Sequence, residues 1–160
     1  EHLEKRCLVK KRILHVFGIA MLLLSGTTFA SGCDLSVETG DGFTWPSSLS
    51  VPSTCSMVTL NLSHSGKMPK NVMGHNWVLS RTADKNAVAM DGMKVASASG
   101  YTTAVKDNDD RVIAHTVLIG GGESTSITFS LEGLSASESY TFFCSFPGHS
   151  GLMKGEFKII

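Results

Sequence analysis

The sequence predicts an all-β domain, a sandwich or barrel of about eight short strands. Three observations carry this: apolar and polar residues alternate with period two, the alternating runs are dense in β-branched and aromatic residues, and turn-forming pairs separate them. Leu35 and Val37 alternate with Asp34, Ser36 and Glu38. Val58, Leu60 and Leu62 alternate with Thr59, Asn61 and Ser63, the pattern of a half-buried strand. Trp77-Val78-Leu79 is a short apolar run. Across 112–119, Val112, Ala114, Thr116 and Leu118 share one face, and Ile113, His115, Val117 and Ile119 the other. Ile127-Thr128-Phe129, Tyr140 to Cys144 and Phe157 to Ile160 complete the set. Asp41-Gly42, Asp91-Gly92, Asn108-Asp109-Asp110, Gly120-Gly121-Gly122 and Pro147-Gly148 punctuate it. Residues 82–100 break the pattern: Ala83 to Met93 carries Ala, Lys and Met without alternation, which predicts a short helix in a long connection.

The first thirty residues read differently. Lys5, Arg6, Lys10, Lys11 and Arg12 precede a run from Ile13 to Leu24 that is apolar except for His15 and Gly18, and Ser25 to Ala30 is mostly small. A basic start, an apolar stretch of about a dozen residues and a small-residue site form a secretory signal. The run is short of the ~20 apolar residues that span a bilayer. Residues 1–30 are therefore expected to be a signal peptide cut after Ala30, leaving one domain over 31–160 with no membrane span. A competing expectation is lipid anchoring at Cys33, because Ala30-Ser31-Gly32-Cys33 has the small residues of a lipoprotein site, although without the usual Leu.

Charge narrows the function classes. Of 14 Lys+Arg and 14 Asp+Glu, the first thirty residues hold five and two, so nine basic and twelve acidic residues remain, a net −3. That balance does not favour nucleic acid or an anionic membrane surface.

Beyond residue 30 three cysteines remain: Cys33, Cys55 and Cys144. In an oxidising compartment thiols tend to pair. Cys33 and Cys55 lie near each other in strand-like segments without metal-type neighbours, and bridging them would contribute about 3 kcal/mol on a chain-entropy argument. Cys144 is left over, and a bound metal is a good reason for an unpaired thiol to persist there.

The neighbourhood of Cys144 supplies one. Cys144, His149 and Met153 follow the spacing Cys-x4-His-x3-Met, with a Pro147-Gly148 turn between the first two. Thiolate, imidazole and thioether can thus converge from one loop. His75 stands just before the apolar run at Trp77, and Gly74 before it lets a carbonyl approach closely. Two His, one Cys and a weak axial Met are blue-copper electron-transfer chemistry; zinc would accept the same ligands, but thiolate plus thioether suits copper better. Taken singly, a Cys at a strand end, a lone His or one Met of seven would be ordinary structural residues, and His115 is expected to be a surface histidine.

Several long stretches resemble the azurins, small periplasmic blue-copper proteins of bacteria. They are Val58 to His64, Pro69 to Ser80, Asp91-Gly92-Met93, Arg111 to Thr116, Phe142 to Cys144, Phe146 to Ser150 and Leu152 to Gly155. The resemblance covers residues 33–160 in order. It implies an eight-stranded Greek-key β-sandwich of the cupredoxin kind, with a helix in a connecting flap. It implies one copper ion held by His75, Cys144 and His149, with Met153 and the Gly74 carbonyl as weak axial contacts. Cys33 and Cys55 fall on the family's disulfide. Asn76 matches a residue that ties the ligand loops together, and the backbone N–H groups of Asn76 and Phe146 would face the Cys144 sulfur. The sequence departs from the family where Cys33 and Cys55 stand one residue closer, where Phe43, Met68 and Gly151 replace the usual residues, and over 97–106, which match poorly.

The implied function is a periplasmic one-electron carrier, not an enzyme. Its redox partners, cytochromes or copper/haem reductases, would dock on an apolar patch around His149 made by Phe43, Met68, Met73, Met93, Phe146, Pro147 and Leu152. Met73, Met93, Phe146 and Pro147 are expected at the surface. The competing readings are a copper oxidase or reductase, which needs more histidines than the four at 64, 75, 115 and 149, a Cys–His hydrolase, and a copper-storage module. His64 has two readings: a pH-linked group near the metal whose protonation raises the potential, or a buried neutral ring bonded to backbone.

Overall fold

Strand alternation translates directly into layers. A computed structural model describes residues 32–160; the segment expected to be a signal, residues 1–30, lies outside the described residues. Eight strands run as β1 (Asp34–Thr39), β2 (Ser48–Val51), β3 (Met57–His64), β4 (Val78–Arg81), β5 (Val112–His115), β6 (Ser124–Ser130), β7 (Tyr140–Phe143) and β8 (Lys154–Ile159). Two helices interrupt them, α1 (Lys70–Met73) and α2 (Lys85–Ala98). One sheet has the order β1-β3-β6 and the other β2-β8-β7-β4-β5. The β1–β3 and β2–β8 pairs are parallel and the other pairs antiparallel. The architecture is the expected eight-stranded sandwich.

In β3 the inward set is Val58, Leu60, Leu62 and His64, which alternates with half-buried or exposed residues. Val58, Leu60 and Leu62 share one core cluster with Leu35 and Val37 of β1, Phe129 of β6 and aromatic residues of the second sheet. Trp77 lies at the centre, fully buried, its ring stacked on Phe142 at 5.9 Å and packed beside Phe129 at 5.8 Å. Burying so large an apolar surface is the main stabilising contribution of the core. It also fixes the chain two residues after His75.

Four elements differ from the sequence reading. Strand β2 was not predicted, because Ser48–Val51 offers only Leu49 and Val51 as apolar positions between Pro46 and Pro52. Helix α1 is a single turn bracketed by Pro69 and Gly74, too short for any periodicity. The run over 112–119 leaves the ladder after His115, because Trp77 N–H donates to the Thr116 hydroxyl at 2.9 Å and the Leu118 N–H turns to the Thr102 carbonyl. Helix α2 continues to Ala98, past Asp91-Gly92, which the sequence suggested as a turn. Its buried face is Lys85, Val88, Ala89, Gly92 and Ala96, a helical spacing with a glycine where α2 crosses the Ala104 carbonyl and Ser145.

Cys33 and Cys55 form the disulfide, with Cα atoms 5.8 Å apart. The bridge joins the chain just before β1 to the chain just before β3, and the Thr59 N–H donates to the Cys33 carbonyl at 3.0 Å. It also corrects the lipid-anchor expectation: the Cys33 sulfur is already bonded and offers no thiol to acylate. Among the described residues no helix is long and apolar enough to cross a membrane.

Gly92 gives a prediction in which two effects oppose. Helix propensity alone favours Ala by about 1 kcal/mol. A Cβ at this position would collide with the backbone carbonyl of Ala104 and the Ser145 side chain, neither of which can move freely. Overpacking wins, and Gly92→Ala lowers unfolding stability by about 1–3 kcal/mol in urea titration. A gain in stability would show that the α2 crossing is looser than described.

Candidate metal centre

The pairing of β4 with β7 brings together residues far apart in sequence. These strands are antiparallel neighbours with Val78 opposite Phe143. The residues just before β4 and just after β7 therefore emerge at the same end of the sheet: His75 from the first, Cys144 from the second.

Each segment is held by its own bonds. His75 makes a two-way backbone bridge with Ile119, at 3.0 and 2.9 Å. Its ring Nε2 lies 2.9 Å from the Gly40 carbonyl. Nε2 therefore carries the proton and donates, leaving the Nδ1 lone pair free toward Cys144. The loop after β7 is closed by Cys144 N–H donating to the Met153 carbonyl at 3.0 Å. Within it the Phe146 carbonyl accepts from His149 N–H at 3.0 Å, and Gly148 takes φ 84°, the left-handed position that the Pro-Gly turn requires. The His149 carbonyl then accepts from Leu152 and Met153.

The result is a tight donor cluster. His75 Nδ1 lies 3.8 Å and His149 Nδ1 3.6 Å from Cys144 Sγ, and the three atoms fall within 4.8 Å of one another. The Gly74 carbonyl is 4.0 Å from the same sulfur. Met153 is fully buried and packs in one apolar group with Cys144, Phe146 and Leu118. His75 and Cys144 are also fully buried, whereas His149 keeps 4% exposure.

Asn76 joins the two segments. Its side-chain amide donates to the Ser145 hydroxyl and accepts from the Ser145 backbone N–H, each at 2.9 Å. The Ser145 hydroxyl in turn donates to the Ala104 carbonyl at 2.6 Å, which ties in the chain beyond α2. Neither Ser145 nor Gly40 was a candidate from the sequence. No residue pattern marks a serine after a cysteine, or a carbonyl 35 residues upstream of a histidine, as part of a site.

Electrostatics bear on what the cluster can hold. Burial pushes the Cys144 thiol up to about 12, against the pull of the Asn76 and Phe146 backbone N–H groups that donate toward the sulfur. Burial also pushes His149 down to about 4, with the neighbouring His75 adding to the shift. His75 is lowered too, chiefly by burial, while its bond to the Gly40 carbonyl works in the opposite direction. At neutral pH the three donors are thus uncharged and enclosed. A soft cation fits this set, because it turns the thiol into a thiolate and supplies the missing countercharge.

Other site expectations fall unevenly. Phe43, Met68, Met93 and Leu152 are exposed at 47%, 40%, 36% and 67%, and Met73 and Pro147 are half-buried. Phe146 was expected at the surface and is instead buried, its ring packed 4.6 Å from His149 and 5.8 Å from Tyr101. The turn at Pro147 folds Phe146 inward over the donor cluster. His64 is buried 4.9 Å from the His75 ring. Its Nδ1 accepts from Gly66 N–H at 3.1 Å, so Nε2 donates to the Met73 carbonyl at 3.0 Å. Both ring nitrogens are bonded to backbone this way. His115 is exposed.

A family model described as copper binding proteins of the plastocyanin/azurin family matches residues 31–160. The chain belongs to that family. Azurins are among its relatives there. That of Bordetella pertussis is 45% identical over 141 residues, covering 88% of this chain and 92% of the relative. That of Pseudomonas aeruginosa is 48% identical over 134 residues, covering 83% of this chain and 88% of the relative. A solved azurin from the methylotroph Methylomonas sp. strain J superposes with a TM-score of 0.74 at 45% identity, covering 80% of this chain and 98% of that one.

Proton accounting tests the donor set. With the thiol raised and both imidazoles lowered, only Cys144 holds a proton that metal binding must expel near neutrality. Loading the metal-free protein with Cu(II) or Zn(II) between pH 6 and 8 releases about one proton per ion, read in weakly buffered solution. A release close to zero would mean that Cys144 rests as a thiolate or does not bind.

Proposed function

We propose that residues 31–160 form a blue-copper domain that works in the periplasm as a one-electron carrier, and that residues 1–30 are the signal that exports it. The single observation that carries this is the convergence of His75, Cys144 and His149 donor atoms within 4.8 Å in a buried, uncharged pocket. In this reading these three would hold the ion strongly, with Met153 and the Gly74 carbonyl as weaker contacts. Copper supplies a Cu(II)/Cu(I) couple when bound.

The chain's own contribution is to hold the donors still. The Asn76–Ser145 bonds, the His75–Gly40 bond and the closed 144–153 loop leave little room for rearrangement between oxidation states. The Asn76 and Phe146 N–H groups stabilise charge on the sulfur. His149 is the one donor of the set with any solvent exposure, and Phe43 packs edge-on to its ring at 5.1 Å. That makes its ring edge the route for the electron. Phe43, Met68, Met93 and Leu152 then provide the apolar docking face, with Met73 and Pro147 half-buried among them and Phe146 beneath. Such a face suits brief encounters with redox proteins, cytochromes or copper/haem reductases. A storage or delivery module would need ligands open to exchange, and the burial of His75 and Cys144 argues against it.

Two measurements check the reading. The Cu(II)-loaded protein shows intense visible absorption from thiolate-to-copper charge transfer, and Cys144→Ser abolishes it; a variant that stays blue sinks the assignment. Met153→Leu keeps the colour and raises the reduction potential, because a donor to Cu(II) is replaced by a dry apolar side chain. A colourless Met153→Leu protein would make Met153 a principal ligand instead.

A further inference from the structure

Lys85 stands where a lysine is costly. It opens α2, at the helix end that disfavours cations, and only 9% of it is exposed. Among the described residues no carboxylate lies within salt-bridge distance of its ammonium. Burial lowers its basicity, and nearby Lys154 adds to this. What the ammonium does touch is the ligand loop. Nζ donates to the Ser150 carbonyl at 2.6 Å and lies 5.7 Å from the centre of the Phe143 ring, a cation–π distance; the Asn86 side-chain oxygen is 3.4 Å away. Phe143 directly precedes Cys144, and Ser150 directly follows His149. The carbonyls of Phe146, His149 and Met153 are satisfied inside the loop, whereas that of Ser150 is satisfied by this side chain from the flap helix.

We propose that Lys85 is a positioning residue of the metal centre: held between the Ser150 carbonyl and the Phe143 ring, its ammonium pins the His149-bearing loop to α2 and places a fixed positive charge beside the donors. The proposal rests on the blue-copper reading above. A nearby cation favours the less positive ion, Cu(I), and so raises the reduction potential. Low solvent access limits screening of this charge by salt.

Three substitutions separate donor from charge. Lys85→Met keeps an apolar stem and loses both; Lys85→Gln keeps an N–H donor and loses the charge; Lys85→Arg keeps both. Reduction potentials and visible spectra of the copper-loaded proteins at pH 7 are compared with those of the unmodified chain. The expected result is a lower potential in Lys85→Met and Lys85→Gln with the blue band retained, and a potential near the original in Lys85→Arg. In the metal-free proteins, amide hydrogen exchange at Leu152 and Met153 is faster in Lys85→Met than in the unmodified chain. If the unmodified chain gives no blue band, the copper-carrier reading fails and this proposal with it. If that band is present but Lys85→Gln keeps the original potential, the charge role is overturned. Unchanged exchange at Leu152 and Met153 in Lys85→Met overturns the pinning role.

Discussion

The site depends on one constraint, that two segments 69 residues apart must leave the same end of one sheet. The antiparallel β4–β7 pair imposes it, and the Asn76–Ser145 bonds refine it to side-chain precision. The Trp77 ring, stacked on Phe142, locks the β4 side to the β7 side through the core. The donor residues are thus arranged by contacts that involve none of the donor atoms, so the donor arrangement follows from the folded chain itself. Rigidity of this kind belongs to the scaffold, and the donors inherit it.

Burial gives the cluster its chemical appetite. A thiol and two imidazoles removed from water remain uncharged, and each is reluctant to ionise alone. The two N–H groups aimed at sulfur provide only part of what a thiolate needs. A thiophilic cation fits the pocket because it supplies the balancing charge that the two N–H groups leave incomplete. Lys85 lies outside this pocket, its ammonium bonded to the Ser150 carbonyl of the ligand loop in place of a carboxylate.

Legibility from sequence followed locality. Cys144, His149 and Met153 could be read together because ten residues and one Pro-Gly turn contain them. His75 could be read because Gly74 and the apolar run at Trp77 set it apart. Strands β1 and β3 were legible by alternation, and part of β8 as the apolar run from Phe157. What escaped was governed by tertiary contacts: β2, with two apolar positions; α1, a single turn; and α2 beyond Gly92, where a turn-like Asp-Gly pair is overridden by close packing on Ala104. Phe146 escaped because a large apolar residue beside an exposed turn can fold either way. Ser145, Gly40 and Lys85 escaped because their roles consist of hydrogen bonds between side chain and backbone, or between side chains, far apart in sequence, and no residue type or spacing announces those.

The parallel pairing of β2 with β8 has a kinetic meaning. Ser48 lies opposite Glu156, and β8 sits inside its sheet between β2 and β7. That sheet cannot close until its latest strand in chain order has arrived and threaded between partners from both ends of the domain. Pairings this distant carry a large loop-closure entropy before they return any contact energy, which makes folding slow relative to domains built from local contacts. The segment delivered just ahead of β8 is the loop that carries His149 and Met153. The donor set is therefore complete only when β8 is seated, because the 144–153 loop is closed on one side by β7 and on the other by β8.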